Sequence, residues 1–207
     1  MNHRFLLSLF ILVLLPGVIF PQSKTDWKLA KQKNGITVYL RLLPGNKFKE
    51  YKAITIVSTT PDKILRILEK PNKYPEWMSN IKTARLVKWQ GDSVYYTWSQ
   101  VAMPWPFHDR DQVSRSQIVK NSISGGILIK IRLLPGLVSH KNSMIRIKKG
   151  VGYWLLQPEP GGKTKIVFQF FTDLGTHLPG WLINMFIVKS PYQTLTGLKK
   201  MIQTNSF

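Results

Sequence analysis

Hydrophobic and polar positions alternate along much of this chain with the period of two that a half-buried strand requires. Gly35-Ile-Thr-Val-Tyr-Leu-Arg-Leu-Leu43 reads this way and is closed by Pro44-Gly45, and residues 47–57 read as its partner strand. Further strands are expected at roughly 81–90, 93–103, 109–119, 126–134, 142–149, 151–157 and 164–173, separated by Gly91-Asp92, Gly125-Gly126, Pro135-Gly136, Gly150 and Pro160-Gly161-Gly162. In one of them Ile127, Ile129, Ile131 and Leu133 form an unbroken apolar face, while Lys130 and Arg132 on the other face should meet water.

The period changes in two places. Thr60-Pro-Asp62 supplies a capping residue, a proline for the first turn and an acid, and Ile64, Leu65 and Leu68 follow as the buried stripe of a short helix ended by Pro71. Tyr74-Pro-Glu-Trp-Met78 has room for one helical turn. At the other end of the chain Leu182, Met185, Tyr192, Leu195, Leu198 and Ile202 share a stripe, predicting a long C-terminal helix bent near Pro191. About nine antiparallel strands and one long helix predict an α+β fold in which a curved sheet wraps around the helix, leaving space between them.

Residues 1–23 stand apart. Arg4 is followed by an apolar run from Phe5 to Phe20 broken by Ser8, Pro16 and Gly17, which reads as a signal peptide removed near Ser23. The run falls short of the roughly 20 residues a spanning helix needs, and an uncleaved anchor is the alternative. Residues 24–207 then form one domain. With no cysteine, an exported protein has neither a disulfide nor a thioether lipid anchor, so its core must hold it unaided.

Removing residues 1–23 takes one of the 30 basic residues, Arg4, and none of the 10 acidic ones, so the net charge falls from +20 to +19. Between Asp111 and Glu159 there is no acid, but there are Arg115, Lys120, Lys130, Arg132, Lys141, Arg146, Lys148 and Lys149. Such a surface draws anionic lipid headgroups or nucleic acid through the same long-range field. Export removes nucleic acid as the working partner.

The densest chemistry lies in Met103-Pro-Trp-Pro-Phe-His-Asp-Arg-Asp-Gln-Val113. His108 beside Asp109 has the residue types of an acid/base pair, but on an extended backbone His108 and Arg110 point one way and Asp109 and Asp111 the other. No G-x-S-x-G elbow is present, and His108, His140 and His177 lack metal-ligand spacing. Gly125-Gly126 and Gly161-Gly162 sit between strands, not before helices, so no phosphate-cradling loop is expected. The structural alternative is a corner: Pro104 and Pro106 end a strand, Trp105 and Phe107 cover it, and Arg110 and Asp111 pair as buried charges.

Four segments in order carry a resemblance. They are Tyr74-Pro-Glu-Trp77; Pro104-Trp-Pro-Phe-His-Asp-Arg-Asp111; Ile145-Arg-Ile147 with Gly152-Tyr-Trp-Leu-Leu-Gln-Pro158; and Asp173-Leu-Gly-Thr-His-Leu-Pro-Gly-Trp-Leu-Ile-Asn184. Together they resemble the START family (steroidogenic acute regulatory protein-related lipid transfer domains) in its bacterial form, within the polyketide cyclase and birch-pollen-allergen-like superfamily. The resemblance implies a helix-grip fold with an internal hydrophobic tunnel. It departs from the family pattern at Lys70-Pro71-Asn72, where an acid is expected, and at Asp173-Leu-Gly-Thr176. The cavity arginine of sterol-carrying relatives is replaced near Ser116, and the strand Val94 to Val101 holds no acid to pair with one.

What this implies is an exported, periplasmic or secreted, monomeric carrier of a lipid or other hydrophobic small molecule. It works without cofactor or metal and docks transiently on anionic membranes through its basic surface. Candidate tunnel-wall residues are Trp77, Tyr96, Trp98, Met103, Arg110, Trp154, Phe168, Phe170, Trp181 and Met185. The rival readings are an aromatase or cyclase, for which Arg110 and His108 are the catalytic candidates, and a basic surface-binding module with no internal ligand.

Overall fold

The computed structural model describes residues 26–46, 48–139, 143–175 and 178–204. The signal-peptide segment, His140, Lys141, Thr176 and His177 lie outside these residues.

Ten strands form one sheet: β1 Lys28–Lys33, β2 Ile36–Leu42, β3 Lys49–Val57, β4 Ile81–Gln90, β5 Val94–Val101, β6 Arg110–Lys120, β7 Ile127–Leu133, β8 Ile145–Arg146, β9 Gly150–Glu159 and β10 Lys163–Thr172. Their order is β1-β2-β3-β10-β9-β7-β6-β5-β4, antiparallel throughout, and β8 adds a short parallel pairing to the start of β6. The sheet stays open, with β1 and β4 as its edges. The alternation is the one expected: Ile36 and Val38, Ala53 and Val57, Ile127 and Ile129, and Ile166 are buried on one face, whereas Lys130 and Arg132 are exposed on the other.

Two elements differ from expectation. β1 was legible only as a Lys-rich lead-in, because its burial pattern is almost wholly exposed and gives no period to read. Pairing with β2 makes it a strand, and Trp27 beside it lies under the Arg41 guanidinium at 4.4 Å and the Lys52 ammonium at 4.2 Å. Lysines on an edge strand also discourage pairing with another chain. The strand expected at 142–149 shrinks to β8, two residues long, which pairs in parallel with Arg110 and Asp111 at the start of β6, where the pairing of β7 with β6 has already ended.

Helix α1, Pro61–Leu68, begins with Pro61 at its first position, and Thr60 takes the N-cap place without a side-chain bond. A single 3₁₀ turn, Pro71–Lys73, leads into α2, Tyr74–Trp77. The C-terminal helix runs as α3 Gly180–Asn184, a wide π turn Met185–Lys189, and α4 Ser190–Thr204. Pro191 has no N–H to donate to the preceding turn, so the helix widens ahead of it. α4 packs on β2, β3 and α2, burying Leu195, Leu198 and Met201 in the main core. At Gly197 an added Cβ would sit 2.2 Å from the Trp77 carbonyl oxygen, so a glycine is what lets α4 lie against α2.

Candidate functional site: an uncharged internal cavity

The concave face of the sheet does not close fully on the helix. Between them lies a cavity of about 140 Å³. Its floor is β5 and β6, which contribute Tyr95, Thr97, Ser99 and Val101 from one strand and Gln112, Ser114 and Ser116 from the other. Trp154 of β9 and Phe168 and Phe170 of β10 face them, and Phe186, Ser190 and Thr194 come from the C-terminal helix. Leu68, Tyr74 and Met78 bound one end, and Leu133, Ile147 and Leu174 belong to the other.

The aromatic wall is preorganised by the strand register. Trp154 and Phe168 are directly paired across β9 and β10, and their rings stack with centroids 3.9 Å apart and planes 3° from parallel. Opposite Phe170 the register places Gly152, where an added Cβ would lie 2.4 Å from the Phe170 ring, so the missing side chain is what seats that ring against the sheet.

Of the expected wall residues, Trp154, Phe168 and Phe170 lie on the cavity. Trp77 is one layer away, buried with its ring 6.3 Å from that of Trp154. Tyr96 and Trp98 are corrections: β5 presents its odd-numbered residues inward, so both side chains sit on the outer face, Tyr96 bonded to Gln90 and Trp98 donating its indole N–H to Asp111 at 2.9 Å. Met103 and Met185 pack around a second core cluster of Val101, Leu133, Ile147, Leu174, Leu182 and Phe186 and do not reach the cavity. Trp181 is 58% exposed on the first turn of α3, with Phe107 beside it at 6.4 Å.

Arg110 is on the inward face of β6 but not on the cavity wall. It is 4% exposed, its Nη1 donates to the His108 carbonyl oxygen at 2.7 Å, and its Nε has no partner among the described residues. Burial pulls its guanidinium pKa below the usual value.

The pairing expected between Arg110 and Asp111 is also corrected. Asp111 points outward and is held by Arg146. Arg146 spends its remaining donors on the carbonyl oxygens of Pro135, Val138 and Ser139, which ties the 135–139 segment over β6. Sequence reasoning missed Arg146 as the partner because the two are 35 residues apart.

The proline corner itself is organised by Asp109, which accepts the Met103 N–H at 2.9 Å and bonds from Gln100 and Lys82. Those donors, the Met103 N–H above all, hold its carboxyl below the usual carboxylate range. Trp105 does not cover the corner. It is 92% exposed.

Among the described residues no carboxylate, histidine, lysine or arginine is on the cavity wall, and the titratable side chains there are Tyr51, Tyr74 and Tyr95. Burial pushes Tyr95 up to about 12, with the Ser116 hydroxyl bond working against it, and pushes Tyr51 and Tyr74 well above the usual phenol value. All three phenols therefore stay protonated across the physiological range. His108 is on the exposed corner, away from the cavity, and no cluster of metal-ligating side chains occurs among the described residues. This site has the means to enclose and orient a guest, and it lacks the paired acid and base that a cyclase reading would place inside.

A START domain model matches residues 21–205. The chain belongs to the START domain family. A STAR-related lipid transfer protein of Xanthomonas axonopodis superposes with a TM-score of 0.79 at 26% identity, covering 86% of this chain and 98% of that one. An uncharacterized protein of Pseudomonas aeruginosa is 33% identical over 183 residues, 88% of this chain and 90% of its own. Human phosphatidylcholine transfer protein is 25% identical over 164 residues, 77% and 75% of the two chains. Within the START domain, the R-D turn at Arg110-Asp111 and the short strand Ile145-Arg-Ile147 that marked the resemblance meet through the Asp111–Arg146 pair.

Proposed function

We propose that this START domain is a carrier that encloses one lipid or other hydrophobic molecule between its sheet and C-terminal helix and has no catalytic role. The observation that carries the reading is the internal cavity with an aromatic wall and, among the described residues, no charged side chain. Burial of apolar surface against Trp154, Phe168 and Phe170 would drive binding at roughly 25 cal/mol per Å². Human phosphatidylcholine transfer protein and the Xanthomonas axonopodis STAR-related protein are lipid transfer proteins by name, which supports the same reading.

At about 140 Å³ the cavity as it stands matches one that takes a single small ring. A whole lipid therefore parts the walls, and the mobile wall is the C-terminal helix. Its π turn at Met185–Lys189 replaces regular helical hydrogen bonds where Phe186 meets the cavity.

The carrier works as an exported monomer, delivered by residues 1–23, and docks on anionic membranes. Support for docking comes from the exposed apolar side chains Trp105, Trp181 and Ile145 and from the exposed Lys82, Lys148, Lys149 and Lys189.

Native mass spectrometry of the purified protein, before and after incubation with lipid vesicles, tests the carrier reading. One lipid-sized adduct per chain is expected. A chain that stays ligand-free across a panel of fatty acids, glycerides, sterols and phospholipids overturns it.

A further inference from the structure

We propose that the β5/β6 wall makes this carrier selective for uncharged lipids whose head bears hydroxyl and carbonyl groups, with Ser99, Gln112 and Asn80 as the head-group contacts. The inference rests on the cavity being the ligand site. The polar part of the wall is a ladder: the register pairs Tyr95 with Ser116, Thr97 with Ser114 and Ser99 with Gln112, and all six side chains face inward.

The ladder is satisfied at one end and open at the other. Tyr95 donates to the Leu68 carbonyl oxygen and bonds the Ser116 hydroxyl. Thr97 and Ser114 bond each other at 2.6 Å. Ser99 and Gln112 make no side-chain hydrogen bond with another described residue, and the Asn80 Nδ2 on the same cavity wall is buried without a partner among the described residues. Asn80 is fixed in place: its φ of 63° is a left-handed conformation that asparagine tolerates, and its carbonyl oxygen accepts the Ala102 N–H at 2.8 Å.

Ser99 and Gln112 can each donate and accept, and Asn80 offers a donor, so a hydroxyl or ester carbonyl is answered on every side. An ionised head is not. With no charged side chain on the wall among the described residues, a carboxylate or phosphate there would be a buried charge without a counter-charge from them. Arg110 lies two residues from Gln112 on the same face of β6, but its guanidinium turns back to the His108 carbonyl oxygen.

Three probes with one oleoyl tail and different heads separate the outcomes: monoolein, oleate and oleoyl-lysophosphatidylcholine, each titrated into the full-length protein with native mass spectrometry or displacement of a fluorescent fatty alcohol as readout. Monoolein is expected at one per chain with an affinity about tenfold or more above the other two, the scale of one or two hydrogen bonds. Ser99→Ala and Gln112→Leu should each erase most of that preference while still binding the tail. If Gln112→Leu fails to fold, the head-group series and Ser99→Ala still decide. Equal or tighter binding of oleate or the lysophospholipid overturns the selectivity and leaves the carrier reading intact. Binding of none of the three counts against the carrier reading itself.

Discussion

Arg146 grips Asp111 with two parallel hydrogen bonds, Nε to Oδ1 at 2.8 Å and Nη2 to Oδ2 at 2.7 Å, and the two side chains are 5% and 0% exposed. Three further Arg146 nitrogen contacts reach loop carbonyl oxygens, so this one side chain joins β6, β8 and the 135–139 segment.

Removing Arg146 takes the bidentate cation from a buried carboxylate that would keep the Trp98 indole N–H. Arg146→Met is expected to lower unfolding free energy by about 3–5 kcal/mol, read from the urea midpoint at unchanged slope. A loss below about 1 kcal/mol would show the pair to be solvated and the segment independently held.

Gly197 tests the helix packing. Gly197→Ala usually improves a helix, but here the new Cβ meets the Trp77 carbonyl at 2.2 Å. The variant should be destabilised by about 1–3 kcal/mol in thermal unfolding, with α4 pushed off α2. Stabilisation instead would mean that the two helices are free to separate.

The tyrosines predict an alkaline limit. Tyr95 titrates near 12 in the folded protein against 10.0 for the exposed group, and Tyr51 and Tyr74 are also pushed well above the usual phenol value. Because burial favours the protonated form, the folded state holds protons that the unfolded chain loses. Stability is therefore full below pH 10, falls from there, and for Tyr95 the loss is complete above about 12. A near-ultraviolet titration should show these three of the seven tyrosines ionising late or only on unfolding. A single transition of all seven at the ordinary value would refute their burial.

Trp105 is 92% exposed and contributes nothing to the core. Trp105→Ala should leave thermal stability within about 0.5 kcal/mol yet weaken binding to anionic vesicles, and raised salt should weaken it further in both proteins. Undiminished vesicle binding by Trp105→Ala, Trp181→Ala and the double variant would remove these two tryptophans from the docking face.

How much could be read beforehand varies by element. β7 was legible to the residue, because its outer face is solvated and the Lys130/Arg132 alternation shows which side is in. β5 was not. Nearly every residue from Val94 to Val101 is buried, inner and outer faces alike, so the sequence carries no contrast from which to choose parity. That is why Tyr96 and Trp98 were expected on the wall where Tyr95, Thr97 and Ser99 stand, and why the polar ladder went unseen.

By itself the sequence determined the strand and helix periods, the turn glycines and the segments that mark the START family, because these depend on local chemistry and spacing. Only the tertiary structure decided which side of β5 faces the ligand space and which cation neutralises Asp111. Both follow from how the sheet packs around α4 and how β8 pairs with the start of β6 and brings Arg146 to Asp111, which are contacts between segments distant in the chain.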